Sequence, residues 1–97
     1  MDPGTSALNI SDVVVSLAGH DRGRLFYVIG VDGATVLLAN GKDRTLEKPK
    51  RKKRKHVQKV LRSETRAAEK LRQGGKVINS ELRRDLTSLS QELQSKT

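Results

Sequence analysis

Between positions 12 and 61 the apolar residues recur with the two-residue period of β-strands, and turn residues divide them into short runs. In the first run Val13, Val15 and Leu17 alternate with Val14 and Ser16. Asp-Gly and Asn-Gly pairs follow the second and third runs, and such pairs favour tight hairpins because both central turn residues take positive φ. The strands predicted from this pattern cover residues 13–17, 25–31, 35–39, 44–48 and 56–61.

Five short strands with tight turns predict a mainly β fold, a small five-stranded barrel over residues 10–62. Residues 1–9 are polar and contain Pro3 and Gly4, so we expect them to be disordered. The strands provide enough apolar side chains for one small core, and we therefore expect the barrel to fold without the rest of the chain. The predicted core residues are Val13, Val15, Leu17, Phe26, Val28, Val36, Leu38, Leu46 and Val57.

After Ser63 the spacing becomes helical, so residues 63–97 are predicted to form a helical hairpin or tail and the fold is α+β as a whole. A first helix over residues 64–73 ends at Gly74-Gly75, and Asn79 or Ser80 is expected to cap a second. The second helix carries a leucine stripe that needs a covering surface. The first helix or the barrel flank is the favoured cover, and a dimer or a protein partner is the alternative. The stripe consists of Leu82, Leu86, Leu89 and Leu93.

The formal net charge of +9 is concentrated in residues 41–62, which hold eleven basic residues and two acidic ones. Within that block, seven of the eight residues from Lys48 to Lys55 are basic. Because these like charges repel one another at every spacing, we expect residues 48–55 to form a loop between the last two strands. A localised basic patch is typical of nucleic-acid binders, although a solvated loop is the simpler alternative.

Several classes of function are not expected. The chain has no cysteine, which excludes disulfides and thiolate metal sites. His20 and His56 lie at neither ligand nor triad spacing to a second group, and no phosphate-binding glycine motif occurs, so we expect no enzyme, cofactor or metal. No membrane-spanning stretch, leader or lipidation motif is seen in the sequence, so a cytoplasmic protein without a membrane partner is expected.

The aromatic residues limit how a nucleic acid can be recognised. Phe26 and Tyr27 are adjacent, so on a strand they point to opposite faces. Stacking of unpaired bases needs two or three aromatic rings on one face. Recognition of phosphates and shape, on structured RNA or a duplex, is therefore the better expectation.

Two segments resemble a known family. The turn Gly19-His20-Asp21-Arg22-Gly23-Arg24 between two strands resembles a KOW motif, whose central glycine matches Gly23. Residues 40–57 are similar to the KOW branch that includes the archaeal and eukaryotic large-subunit ribosomal protein fourteen-e and its short bacterial relatives. There a turn, an arginine, a Pro-Lys pair, a basic run and a histidine follow in this order. Asn40 stands where the family more often has Asp, and residues 63–97 match no part of it.

The resemblance implies an SH3-like barrel that binds ribosomal RNA or the ribosome, with the first turn and the basic run facing the RNA. The alternatives are a transcription or DNA-binding factor, since the run also resembles a nuclear localisation signal, and a scaffold that acts through its helices. Together with the nearby basic residues, the candidate RNA-binding set is His20, Arg22, Arg24, Lys42, Arg44, Lys48, Lys50, Arg51, Lys52, Lys53, Arg54, Lys55 and His56.

Overall fold

The computed structural model describes residues 7–95, which form five β-strands followed by two α-helices. The predicted disordered segment 1–9 therefore lies mostly outside the described residues. The strands form one antiparallel sheet in the order β4-β3-β2-β1-β5, so the fold is a mixed α+β arrangement around an open sheet. The strands are β1 (Asp12–Ser16), β2 (Leu25–Asp32), β3 (Thr35–Ala39), β4 (Lys50–Lys53) and β5 (Val57–Arg62).

The sheet is strongly curled, because its two edge strands are consecutive in the chain. β4 and β5 are four strand spacings apart, about 19 Å in a flat sheet. Only the 3-10 turn Arg54–His56 joins them, and so short a segment spans at most about 14 Å. The curl brings β4 close to β1 across the concave side, where Lys52 Nζ lies 2.7 Å from Ser16 Oγ.

The predicted fourth strand and the predicted basic loop are both wrong. Residues 41–48 form bends rather than a strand, and the strand after them is β4, inside the basic run. Lys52 pairs with Val36 and Arg51 with Leu37 in the ladder to β3. The repulsion that argued against a strand is relieved because successive side chains point to opposite faces of the sheet, and the inward ones meet an acidic residue.

Both faces of the sheet are buried near its centre, which explains the errors in the predicted core. Val14, expected to point outward, is fully buried, whereas Leu17 is 45% exposed and Val15 and Leu46 are half-buried. The remaining six predicted core residues are buried. The concave cluster contains Leu8, Val14, Phe26, Val28, Val36, Leu38 and Val57, and the cluster on the helix-facing side contains Val13, Tyr27, Ala39, Ala68, Leu82 and Leu86.

Capping interactions mark both ends of the first helix and the start of the second. In α1 (Arg66–Gln73) the Thr65 side chain accepts a hydrogen bond from the Ala68 amide, and Gly74 ends the helix with φ 72°. In α2 (Asn79–Ser95) the Glu81 carboxylate accepts a hydrogen bond from the Ile78 amide. Neither helix is long and apolar enough to cross a membrane, a statement restricted to residues 7–95.

The Asn79 side chain was a predicted cap of α2, but it instead holds the loop between β3 and β4. Its Oδ1 accepts a hydrogen bond from the Leu46 amide at 2.8 Å, and its Nδ2 donates to Glu47 at 2.9 Å. The loop backbone approaches so closely that a Cβ added at Gly41 would lie 2.1 Å from the Asn79 carbonyl oxygen. Any side chain at position 41 would therefore displace the loop from α2.

The leucine stripe is covered by the sheet, as the favoured prediction had it. Leu82 and Leu86 are buried in the helix-facing cluster, and Leu89 packs against it. Leu93 is 38% exposed. A dimer interface that uses Leu82 or Leu86 would require the helix to leave the sheet.

A buried hydrogen-bond network joins the sheet to the helices. The Tyr27 hydroxyl donates to Asp85 Oδ2 at 2.8 Å and lies 2.8 Å from Ser63 Oγ. Burial raises the pKa of this phenol, and the nearby Asp85 carboxylate adds to that effect although hydrogen bonds from Ser63 and Thr65 oppose it. The helices therefore complete a core and satisfy a polar group that the sheet cannot cover alone.

This packing predicts that a chain ending at Ser63 will not fold cooperatively, contrary to the expectation from the strand pattern. Truncation exposes Val13, Tyr27 and Ala39, whose apolar burial contributes roughly 1–3 kcal/mol per large side chain. Urea unfolding followed by circular dichroism measures this. A chain ending at Ser90 keeps Leu82 and Leu86 and should retain a cooperative transition; equal stability of both truncated proteins would contradict the prediction.

Candidate nucleic-acid interface

β4 divides the basic run into an outward and an inward set. Arg51 and Lys53 point to the outer face and are exposed, while Lys50 and Lys52 point to the concave side. Lys55, in the 3-10 turn that follows, is also exposed. The Arg51 side chain forms an exposed ion pair with Asp32 at 3.4 Å, which contributes little in water. The outward set is therefore accessible to an anionic ligand.

The Lys52 ammonium is buried and fully hydrogen-bonded. The residue is 8% exposed, and its Nζ donates to Ser16 Oγ, the Ala18 carbonyl and Asp21 Oδ1, each at 2.7 Å. An ammonium group has three hydrogens to donate, so no donor remains for a phosphate. Lys52, a predicted RNA contact, instead holds β4 against the β1–β2 turn.

Asp21 is the acidic residue on which the inward lysines meet. Its carboxylate also lies 2.9 Å from Lys50 Nζ and accepts a hydrogen bond from Ser16. Burial on its own would raise the pKa of Asp21, but the hydrogen bonds from Lys52, Lys50 and Ser16 outweigh it and hold that pKa far below the usual range. The carboxylate is therefore charged, and it neutralises part of the basic run from within.

The β1–β2 turn presents two further predicted contacts beside this cluster. His20 and Arg22 are exposed on it. Backbone hydrogen bonds close the turn, since the Gly23 amide donates to the Ser16 carbonyl at 2.8 Å and the Ser16 amide to the Arg24 carbonyl at 3.0 Å. Gly23 takes φ 85°, a left-handed value that favours glycine. Asp21 thus fixes the turn and β4 in one arrangement.

The remaining predicted contacts lie on the loop between β3 and β4. Asn40 Oδ1 accepts hydrogen bonds from the Lys42 and Arg44 amides, each at 3.0 Å. Arg24 forms an ion pair with Asp43 that ties this loop to the β1–β2 turn. The hydrogen bond from Asn40 contributes most to lowering the pKa of Asp43, and the hydrogen bond from Arg24 adds to this effect. The Lys42 and Lys48 side chains project outward from the fixed loop backbone.

The predicted residues thus fall into three groups. The buried one is Lys52. The half-buried ones are Arg44, Lys50, Arg54 and His56, and the exposed ones are His20, Arg22, Arg24, Lys42, Lys48, Arg51, Lys53 and Lys55. Asp21 was not predicted to pair with the basic run, although an acidic residue between His20 and Arg22 could have indicated such a pair. The prediction also missed Arg83 and Arg84, whose adjacency on α2 was the available signal.

Comparisons with known proteins leave the family open. No family model matches the chain, and a search of the curated proteins finds no match. Within the described part of the chain, no three His, Cys, Asp or Glu side chains stand close enough to hold a metal ion. Function is therefore inferred from the residues and their geometry.

The turn provides a first test, because the Gly23→Ala variant must hold an alanine at a left-handed φ. Nothing lies within 4 Å of the added Cβ, so the cost is conformational, about 1–2 kcal/mol of unfolding free energy. Gly23→Asn is the matched control and should lose less, because asparagine tolerates this conformation better. Thermal unfolding measures both, and an unchanged midpoint for Gly23→Ala would mean that the turn adopts another conformation.

The Asp21 carboxylate provides a second test through pH. The pKa of Asp21 in the folded protein lies below the value of about 3.9 in an unfolded chain. Between these two pKa values the folded state therefore binds fewer protons than the unfolded state. The stability that Asp21 contributes is complete above about pH 5 and is lost progressively as the pH falls below the unfolded value toward the folded pKa.

Asp21→Asn should therefore lower stability at pH 7 by about 3 kcal/mol and flatten its decline between about pH 5 and pH 2. Asp32→Asn removes an exposed carboxylate and should keep the wild-type pH profile. Chemical unfolding across pH measures all three proteins. An Asp21→Asn profile parallel to that of the wild type would show that the buried pair does not form.

Proposed function

We propose that this protein binds structured RNA, specifically ribosomal RNA or the ribosome, through the outward residues of β4, the 3-10 turn and the β1–β2 turn. The observation that supports this most is the alternation along β4. Arg51 and Lys53 remain exposed, while Lys50 and Lys52 fix the strand from the concave side. A rigid strand loses less conformational freedom on binding than a flexible loop, so its charges engage phosphates at lower entropic cost.

Phosphates rather than bases are the expected contacts. Phe26 and Tyr27 are buried on opposite faces of the sheet, so neither ring is available for a base to stack on, and the exposed imidazole of His20 does not by itself make a platform of two or three rings. Lysine and arginine on an exposed strand neutralise phosphates and release condensed counterions, which provides affinity without sequence preference. Shape selection then depends on how the charges are spaced, which suits an A-form helix or a folded RNA.

The KOW assignment is part of the same proposal. The curled sheet has the strand connection that a closed SH3-like barrel requires, with its two edges joined by three residues. The two segments that resemble the family, the glycine turn and the basic run, adjoin each other through Asp21. A cytoplasmic, ribosome-associated protein that uses no membrane follows from this assignment.

The two alternative functions fit the geometry less well. A nuclear localisation signal is read as an extended flexible segment, whereas β4 is paired to β3 along its length. A helix-mediated scaffold needs a free leucine stripe, whereas Leu82 and Leu86 are buried under the sheet. Duplex DNA remains the competitor to compare directly, since its backbone carries the same charge.

Neutralising the outward residues tests the proposal. The triple variant Arg51→Gln, Lys53→Gln and Lys55→Gln should fold normally, because these exposed side chains make no core contact. Its affinity for ribosomes and for a ribosomal RNA fragment should fall, and the log–log salt slope should become shallower by roughly 0.7–0.9 per lost phosphate contact. Co-sedimentation and fluorescence anisotropy over a salt series measure both quantities.

The control removes three positive charges elsewhere, by Arg62→Gln, Arg66→Gln and Lys76→Gln, all exposed and outside the proposed surface. If both triple variants lose affinity equally, binding reflects net charge and the proposed surface is wrong. If DNA duplex binds as tightly as structured RNA, the proposed RNA preference is wrong.

A further inference from the structure

An open groove runs along α2, the helix that the family resemblance does not cover. Its walls are the end of the β1–β2 turn, the start of the β3–β4 loop and one flank of α2, and it encloses about 990 Å³. Leu25 and Leu86 contribute the apolar lining, while most of the other lining residues are basic, hydroxyl or amide side chains. The polar lining of α2 includes Arg83, Arg84, Thr87, Ser88 and Gln91.

Four cations line this groove, and no acidic residue does among the described residues that form it. They come from three separate elements: Arg24 from the turn, Lys42 from the loop, and Arg83 and Arg84 from α2. Asp43 compensates part of this charge, since it pairs with Arg24. Cations that converge in excess of the anions near them create a positive potential that attracts a polyanion.

The groove is preorganised on the α2 side. Arg83 Nη1 donates a hydrogen bond to the Gly41 carbonyl at 2.8 Å, which fixes its guanidinium across the groove wall. The close approach of Gly41 to Asn79 fixes the loop that carries Lys42. The Arg84 and Lys42 side chains donate no hydrogen bond within residues 7–95. The pKa of Glu81 is lowered mainly by the hydrogen bonds from the Ile78 amide and Lys70, and the charge of Arg84 adds a smaller contribution. The loop backbone that carries Lys42 is thus fixed, and the donors of Lys42 and Arg84 are available.

The chemistry of the lining favours a phosphodiester backbone. Hydroxyl and amide groups such as Thr87, Ser88 and Gln91 donate hydrogen bonds to phosphate and sugar oxygens. No aromatic residue lines the groove, so it offers nothing on which a base stacks. Its open shape suits a continuous strand rather than an enclosed small molecule.

We infer that this groove binds a second segment of the backbone of the same RNA that the basic strand contacts. The inference rests on the proposed function and extends it, because it adds Arg83 and Arg84 to the binding surface. Arg24 lines the groove and lies at the end of the turn that carries His20 and Arg22. One RNA can therefore contact the groove and the proposed β4 surface by running along this turn. Contact at two places selects folded or double-helical RNA over a short single strand.

The double variant Lys42→Gln and Arg84→Gln tests the inference without touching the Arg83–Gly41 hydrogen bond. Its affinity for a folded ribosomal RNA fragment should fall roughly 25- to 60-fold at about 0.1 M salt, and the log–log salt slope should become shallower by roughly 1.4–1.8. Arg66→Gln with Lys76→Gln removes the same charge away from the groove and should change affinity severalfold less. Thermal unfolding checks that both variants fold as the wild type does.

A short single-stranded RNA distinguishes one contact from two, since the groove variant should bind it almost as well as the wild type does. The inference is overturned if the groove variant matches its charge control on folded RNA while the basic-strand triple variant loses affinity; the proposed function then stands. If the wild type binds no RNA, or the basic-strand variant also keeps full affinity, the proposed function fails and the inference fails with it.

Discussion

The buried pair between Lys52 and Asp21 is the interaction on which the arrangement of the basic run depends. Taking an ammonium and a carboxylate out of water is costly, and their attraction offsets this only with good geometry and further hydrogen bonds. Here both conditions are met, since Lys52 also donates to Ser16 and to the Ala18 carbonyl and Asp21 also meets Lys50. Losing Asp21 would leave the Lys52 ammonium as an uncompensated buried charge, at a cost of about 3–5 kcal/mol.

This pair explains how a run with seven basic residues in eight positions can provide a strand of a folded sheet. The inward residues of β4 find a negative partner, and the outward residues project into water, where repulsion is screened. Exposed lysines and arginines on an edge strand also discourage pairing with another chain, so the charges that serve binding protect the edge. The same pair joins β4 to the β1–β2 turn across the curl, and thereby sets the spacing between the two proposed phosphate-contacting elements.

The sequence predicts well what is local and poorly what is not. The strands β1, β2, β3 and β5 and both helices lie within a few residues of their predicted positions. They could be predicted because strand alternation, turn pairs and helix-ending glycines depend only on residues that are close in the sequence. β4 was missed because its partner Asp21 is 31 residues away in the chain, and repulsion is all that the run itself displays. The predicted core omitted Val14 because an alternating pattern assigns one face of a strand to the core, whereas both faces of this sheet are covered. Arg83 and Gly41 are 42 residues apart, so the groove could not be read from spacing.

The reactivity of individual lysines toward an amine-acylating reagent, read by mass spectrometry with and without RNA, tests the account most directly. In the free protein Lys52 should be almost unreactive, because its ammonium is buried and fully bonded, while Lys53 and Lys55 should react readily. On addition of structured RNA, Lys53 and Lys55 should become protected and Lys76 should not. A reactive Lys52 in the free protein would contradict the buried pair, and unprotected Lys53 and Lys55 in the complex would contradict the proposed surface.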